Sequence, residues 1–139
     1  MNFEKKLAIS LFSMRVTVFI VMLMWTIDKL IRAEHASAVY EKFYGISGVM
    51  DYLMQGIGLL ELLLLVGFVL GLWKSVTYLI VFIIHTISTF STVGAYFTPF
   101  TANHLLFFAA LPMWAACLSL YLLRDKDTLL SLGNRKYQH

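Results

Sequence analysis

The stretch GLLELLLLVGF places one carboxylic acid, Glu61, inside an apolar run in which no neighbouring side chain can hydrogen-bond to it. Two other ionisable residues, Arg15 and His85, also lie within long apolar segments. A charged side chain at the middle of a bilayer costs about 2.5–3.5 kcal/mol on insertion scales, and such residues usually face the interior of a helix bundle and pair there. These three residues are therefore the first candidates for a binding or proton-handling site.

The positions of the three residues along the chain give them similar depths, provided that the apolar segments are antiparallel helices. Glu61 precedes a short break at Trp73–Lys74 by about 12 residues, or roughly 18 Å of helix rise, and His85 follows that break by about 11 residues. Arg15 lies about one helical turn shallower, a distance that its long side chain can span. We therefore predict a buried, connected polar cluster of Arg15, Glu61 and His85 near mid-membrane, as a candidate binding site.

Further polar residues extend from this cluster in one direction. Ser88, Thr89 and Thr92 follow His85 at helical spacing, and Gln55 continues a similar line on the preceding apolar segment. The two lines predict a polar cleft that opens outward and is accessible to a ligand or a proton. The alternative is that these side chains only join helices, since serine and threonine in membrane helices often bond to their own or a neighbouring backbone.

Two charged residues, Asp28 and Lys29, follow the first apolar segment in the sequence WTIDKL. They can neutralise each other as anchors at the membrane interface, where tryptophan is also enriched. They can instead form the outer mouth of the cleft. The sequence leaves both interpretations open.

Four apolar segments must position these residues, at about 7–30, 52–72, 75–97 and 105–123. The chain of 139 residues is 60% hydrophobic and 14% charged, whereas a soluble domain is about half apolar and a quarter charged. Crossing a bilayer takes about 20 apolar residues, and backbone in lipid must form its hydrogen bonds within a helix. The sequence therefore predicts an all-α, integral membrane four-helix bundle, with one membrane domain over 1–139 and a cytoplasmic tail over 124–139.

The first segment contains Arg15 and is too long for a cleaved signal peptide, so we interpret it as a retained helix.

The loop between the first two segments also has helical periodicity. Val39, Tyr40, Phe43 and Tyr44 share one face of the sequence EHASAVYEKFY. This pattern predicts a short interfacial helix with its aromatic face towards lipid. A lid over a cavity is the alternative.

The distribution of basic residues predicts the orientation. Lysine and arginine concentrate on the side that holds both termini and the second connection, at Trp73–Lys74: Lys5, Lys6, Lys74, Arg124, Lys126, Arg135 and Lys136. The other side has Lys29, Arg32 and Lys42, interleaved with acidic residues. By the positive-inside rule both termini are predicted to be cytoplasmic. The net charge of +3 reflects this bias, and we expect no binding to nucleic acid.

Several kinds of chemistry are disfavoured by the residues present. Cys117 is the single cysteine, so the chain has no redox-active cysteine pair. His85 and His104 differ by roughly 15 Å in predicted height, too far to hold one haem between them. We find no metal-ligand spacing, no phosphate-binding loop and no nucleophile with a base at defined spacing. We therefore expect no metal and no intrinsic cofactor, and we assign no catalytic residue.

The chain resembles the DoxX-like family of small four-helix bacterial membrane proteins. The resemblance runs from about Arg15 to Arg124 and rests on Arg15, on DKL at Asp28–Leu30 and on GLLELLLLVGFVLGL in the second segment. It implies a bacterial inner (cytoplasmic) membrane location. It also implies an association with quinone-linked enzymes, such as thiosulfate:quinone oxidoreductase, or with oxidative-stress complexes.

Three functional hypotheses follow. The first is a non-catalytic membrane subunit or scaffold of a quinone-linked or redox-stress system, with membrane lipids and a protein partner or a second copy of itself as its partners. The second is a proton-coupled small-molecule transporter built around the Arg15, Glu61 and His85 cluster. The third is an enzyme that binds a quinone or a lipid. A quinone or a lipid is accordingly the ligand class we expect.

Overall fold

The computed structural model describes residues 1–133, and these residues form helices without any strand. Four helices are long and apolar enough to cross a membrane, which confirms the predicted all-α membrane bundle. The elements in chain order are α1 (Phe3–Ile31), α2 (Ala33–Tyr44), α3 (Asp51–Val69), α4 (Lys74–Ser91), α5 (Val93–Tyr96), a 3₁₀ helix (His104–Ala109) that leads into α6 (Ala110–Leu122), and a second 3₁₀ turn (Arg124–Lys126). The predicted tail is therefore covered only as far as Gly133, and Arg135 and Lys136 lie outside the described residues.

The third predicted span, 75–97, is divided near its end. The hydroxyl of Thr92 donates to the carbonyl of Thr89 at 2.9 Å, and the hydroxyl of Tyr96 lies 3.4 Å from the same oxygen. In an uninterrupted α-helix that carbonyl would accept the backbone N–H of Val93. The side chains therefore take over an acceptor of the helix, and α4 ends at Ser91.

The fourth predicted span, 105–123, begins as a 3₁₀ helix rather than an α-helix. Pro112 lies in the first turn of α6. Proline has no N–H to donate, and the first turn of a helix is where a donor is not needed. The change from 3₁₀ to α geometry accordingly falls just before this residue.

The four long helices pack as two pairs. α1 packs mainly on α3 and α4 mainly on α6, while α1 also touches α6 and α3 touches α4. We call the end of the bundle with the α3–α4 turn and Arg124 the tail end, and the opposite end the α2 end. Apolar side chains fill the bundle from the tail end to its middle, among them Leu11, Val18, Leu65, Phe68 and Leu120. Towards the α2 end the two pairs are separated by a cavity.

Gly58 lets α1 and α3 approach closely at the α2 end. A Cβ atom at this position would lie 3.1 Å from the side chain of Leu30 and 3.1 Å from the Cβ atom of Lys29. Small residues allow membrane helices to pack backbone against backbone in this way. The close crossing brings the outer turns of α1 within reach of side chains on α3.

We predict that Gly58→Val lowers the free energy of unfolding by about 1–3 kcal/mol, the usual cost of forcing extra atoms into a packed interface. Gly56→Val is the matched control, because a Cβ atom at Gly56 meets nothing within 4 Å. Both variants replace glycine by the same β-branched side chain on the same helix, so the change in helix propensity cancels. Thermal unfolding in detergent micelles measures the difference, and equal melting temperatures for the two variants would contradict it.

Candidate functional site

Arg15, Glu61 and His85 do not form the connected cluster predicted from their depths. The Glu61 carboxylate pairs with Lys29 at 3.1 Å, and the Arg15 guanidinium pairs with Asp127 at 3.1 Å. His85 donates from Nε2 to a backbone carbonyl at 3.1 Å. Matching depth along the axis left the rotation of each helix undetermined, and nearer partners are present for all three groups.

The Glu61 carboxylate is held by two residues of α1. Thr26 places its hydroxyl 2.8 Å from Oε1, and it shares its single proton with the carbonyl of Met22 at 2.9 Å. Lys29 Nζ lies 3.1 Å from Oε2 and 3.3 Å from Oε1. The side chains of Lys29 and Glu61 are 10% and 8% exposed, so this is a nearly buried ion pair that still has one open side.

The sequence contains a signal that points to this pair. Thr26 and Lys29 follow Arg15 by 11 and 14 residues along α1. The structure buries all three residues on one face of the helix. Glu61 lies on the buried face of α3, three residues after Gly58 and seven after Met54. The position of Lys29 near the end of its apolar segment does not show this pairing, because the long stem of the side chain lets the ammonium reach back towards the bundle.

The open side of the Lys29–Glu61 pair faces a cavity of about 610 Å³. Its walls come from one face each of α1, α2, α4 and the 3₁₀–α6 segment, while α3 contributes only Glu61. On α1 the lining residues are Thr17, Val18, Val21, Met22, Trp25, Asp28 and Lys29, and on the 3₁₀–α6 segment they are Leu106, Phe107, Ala109, Ala110, Pro112, Met113 and Ala116. Most of the wall is apolar, and the charged side chains gather at the α2 end.

Only some of the polar residues predicted to form one line along α4 face the cavity, and the remaining one is buried in the packing of the helices. His85, Ser88 and Thr92 line the cavity. Thr89 does not, since it is 1% exposed and its hydroxyl donates to its own helix at 2.7 Å. Gln55 is also not part of the cleft: it is exposed, at the surface by Asp51, with its amide 3.5 Å from the carbonyl of Leu30.

The protonation of the His85 ring is set by its contact with the Ala110 carbonyl. A carbonyl only accepts, so Nε2 carries the proton. In the neutral ring Nδ1 is then an acceptor, and within residues 1–133 it has no hydrogen-bond partner. His85 thus offers the cavity an acceptor, at roughly the middle of α4.

Asp28 and Lys29 both line the cavity at the α2 end. They do not neutralise each other as interface anchors would. Asp28 instead accepts from Arg32 at 3.0 Å and lies 2.7 Å from His35 Nδ1, while Lys29 pairs with Glu61. The interpretation of these residues as a mouth agrees with this geometry.

The interfacial helix predicted in the first loop is present as α2, but the predicted direction of its aromatic face is wrong. Val39, Tyr40, Phe43 and Tyr44 line the cavity instead of facing lipid. The rings of Tyr40 and Tyr44 stack at 4.8 Å, and Phe43 contacts Phe107 at 5.5 Å between centroids. The apolar face of α2 is buried over the gap between the helix pairs, so α2 covers the cavity as a lid.

The Tyr40 hydroxyl remains protonated throughout the physiological pH range. Burial raises the pKa of Tyr40 to about 12, and the negative charge of Glu61 and the neighbouring Tyr44 act in the same direction. A neutral phenol can donate a hydrogen bond. The lid therefore supplies a polar donor near the Lys29–Glu61 pair.

Arg15 belongs to a second, separate group of residues at the tail end. Tyr78 donates to Asp127 Oδ2 at 2.6 Å, and Arg15 Nη1 lies 3.2 Å from the Tyr78 hydroxyl. Arg15 Nη2 donates to the carbonyls of Leu129 and Leu130 at 2.5 and 3.3 Å. Arg15 and Asp127 are both fully buried, so this group closes the bundle at the tail end.

The chain after Arg124 folds against the bundle as far as it is described. The backbone N–H of Leu132 donates to the carbonyl of Leu70 at 2.9 Å, and Lys74 bonds to the carbonyl of Asp127. Gly71 makes room for this segment, because its φ of +66° turns the chain and a Cβ atom there would lie 2.9 Å from Arg15 Nη1. The sequence RDKD, which places carboxylates at the end where Arg15 lies, is the signal that could have predicted the pairing.

The described residues supply neither a metal centre nor a reactive thiol. Within residues 1–133 no three His, Cys, Asp or Glu side chains lie close enough together to hold a metal ion. Cys117 is buried in the apolar core. The arrangement at the α2 end is suited to binding, with an apolar chamber, one charged end and a few hydrogen-bonding side chains.

Comparison with protein-family models, with curated proteins and with solved structures finds no match to this chain. The resemblance to DoxX-like proteins therefore stays a prediction. The function has to be argued from the two polar groups and the cavity.

We predict that Arg15→Met and Asp127→Leu each lower the free energy of unfolding by about 3–5 kcal/mol, because each leaves the other charge buried and unpaired. The double variant should recover much of this loss, since no charge then remains inside. Lys126→Ala serves as a control: its pair with Glu4 is long, at 3.8 Å, and exposed, and removing it should change stability by less than about 0.5 kcal/mol. Denaturant unfolding in micelles measures all four, and simple additivity of the two single losses would refute the coupling.

Proposed function

We propose that the chain is an integral membrane protein that binds an amphipathic small molecule in the cavity at the α2 end. The observation that carries this proposal is the shape and chemistry of that cavity. Its volume of about 610 Å³ lies within the range of roughly 300–1,000 Å³ that is typical of small-molecule sites. Its walls are apolar and its charges lie at one end, as an amphipathic ligand requires.

The Lys29–Glu61 pair supports a binding role over a purely structural one. A buried ion pair contributes little net stability, because the desolvation of both charges offsets their attraction. Arg15–Asp127 is sealed on all sides, whereas Lys29 and Glu61 line the cavity. A ligand head group in the cavity would therefore meet a fixed, partly desolvated pair of charges.

A quinone or a lipid is the ligand class that fits these features. Both have an apolar body and a head that accepts hydrogen bonds, and the aromatic residues of α2, with Phe107, provide flat surfaces for a ring or a chain. The resemblance to DoxX-like proteins supports a quinone-linked or redox-stress system. We propose that the chain acts there as a non-catalytic membrane subunit, joined to a protein partner or to a second copy of itself.

The proposed location is the bacterial inner membrane, with both termini cytoplasmic. The Lys and Arg asymmetry supports this orientation. The tail end would then face the cytoplasm, and the cavity with its α2 lid would open towards the outer side. A ligand would be bound in the outer half of the bilayer.

We predict that Ala116→Phe removes most of a small molecule that co-purifies with the protein, because the ring fills the cavity next to Met113. Ala115→Phe is the matched control, since Ala115 is exposed on the lipid side of α6 and does not line the cavity. The protein is extracted in mild detergent, and bound molecules are identified by native mass spectrometry and by extraction. Equal amounts of ligand on the two variants, or no ligand on the wild-type protein, would sink the proposal.

The second candidate is a proton-coupled transporter, and the observation that favours it is that the cavity reaches Glu61. Glu61→Gln keeps an acceptor for Thr26 and Lys29 but removes the titratable group. If the protein is a transporter, this variant should bind the ligand but lose uptake driven by a pH gradient in proteoliposomes. Glu41→Gln, on the exposed face of α2, should transport normally. Wild-type protein that binds the ligand but moves none would remove this candidate.

A further inference from the structure

We infer that the cavity takes an uncharged, single-chain amphiphile whose head accepts hydrogen bonds, and that this molecule enters sideways from the bilayer between α1 and the 3₁₀ helix. The inference rests on the proposed binding function and specifies its ligand and its route. The charge balance of the polar end, the donors around it and the exposure of the rim each contribute to it.

The charges at the polar end already balance without a ligand. Lys29 is paired with Glu61 at 3.1 Å, and Asp28 is paired with Arg32 at 3.0 Å. A carboxylate or phosphate head would lie beside Glu61 and Asp28 with no unpaired cation of the cavity wall to receive it. An ammonium head would displace Lys29 from its partner. Because like charges held together in a desolvated site cost several kcal/mol, a neutral head is favoured.

Several hydrogen-bond donors face this end. Tyr40 and Tyr44 bring phenol hydroxyls from the lid, and Tyr40 keeps its proton because its pKa is raised to about 12. The ammonium of Lys29 has three N–H donors, and Glu61 uses only part of them. A head with carbonyl or ester oxygens can accept hydrogen bonds from these groups.

The apolar part of the cavity extends along α1. From Lys29 to Thr17 the lining face of α1 covers 12 residues, which is about 18 Å of helix rise. Val18, Met22 and Ala116 form the wall along this length. A single chain lying parallel to α1 would place its head at the α2 end and its tail towards the middle of the bundle.

The side of the cavity between α1 and the 3₁₀ helix opens onto the lipid-facing surface. Val21, Trp25 and Leu106 line the cavity, and they are also 43%, 54% and 74% exposed. A side chain that does both lies at the rim of an opening. All three are apolar and lie within membrane-spanning segments, so the opening connects the cavity with the acyl chains of the bilayer.

The test uses purified protein in lipid nanodiscs and three probes with the same myristoyl chain: monomyristoylglycerol, which is neutral, myristate, which is anionic, and myristoylcholine, which is cationic. Native mass spectrometry gives their relative affinities. We expect monomyristoylglycerol to bind about tenfold more tightly than either charged probe. Binding of myristate or myristoylcholine with equal or higher affinity would overturn the assignment of a neutral head.

The route is tested by the exchange of deuterated for unlabelled monomyristoylglycerol. Leu106→Trp narrows the proposed opening and should slow exchange several-fold. Leu105→Trp, at a neighbouring residue that is 60% exposed but does not line the cavity, should exchange at the wild-type rate. Identical rates in the two variants would rule out lateral entry.

The outcomes separate this inference from the binding function itself. If none of the three probes binds while a co-purifying molecule is still lost from Ala116→Phe, the ligand class inferred here is wrong and the binding function stands. If no molecule depends on the cavity in either experiment, the binding function fails as well.

Discussion

A charge inside a bilayer must find a partner within reach, and this constraint shapes the whole bundle. The middle of a membrane solvates neither a guanidinium nor a carboxylate, so each buried charge requires an opposite one and further hydrogen bonds. Two such pairs occur within residues 1–133. Arg15–Asp127 joins α1 to the segment that follows α6, and Lys29–Glu61 joins α1 to α3. α1 carries the cation of both pairs on one face, and the other elements are arranged around it.

The two pairs lie 14 residues apart along α1, with Arg15 near the middle of the helix and Lys29 in its last turn. Their surroundings differ, and the cavity follows from that difference. At the tail end, Tyr78 and the backbone carbonyls of Leu129 and Leu130 surround Arg15. At the α2 end, Thr26 supports Glu61 on one side only. Because α1 is tied closely to α3 at Gly58, the α4–α6 pair stands apart there, and the aromatic face of α2 covers the gap.

The sequence predicts the fold well, because a long apolar segment in lipid has one solution, the α-helix. It also predicts that Arg15, Glu61 and His85 lie inside, because the cost of exposing them to lipid does not depend on the details of packing. The partners of these residues could not be predicted in the same way. α3 is nearly all leucine around Glu61, so its apolar pattern does not show which neighbour each face meets.

The errors at the site have physical causes of the same kind. Residue spacing gives the depth of a side chain in the membrane but not the rotation of its helix. It therefore places Arg15 and Glu61 in one cluster, although the two side chains face different partners. The aromatic residues of α2 were assigned to lipid, because a sequence does not show that the bundle has a gap for them to cover. The predicted cytoplasmic tail includes Asp127, although RDKD supplies the carboxylate that Arg15 requires.

Accessibility decides which of the two pairs can serve a function. Arg15 and Asp127 are fully enclosed, so a change in this pair acts on the stability of the bundle. It can reach the cavity only through the packed core that lies between the pair and the cavity. Lys29 and Glu61 make the same kind of contact with one side open to an apolar chamber, where the low dielectric strengthens every hydrogen bond that a ligand makes. A molecule bound there also replaces the lost solvation of the pair. Under the proposed binding function, the carboxylate in GLLELLLLVGF is half of an ion pair that α1 holds in place for a ligand.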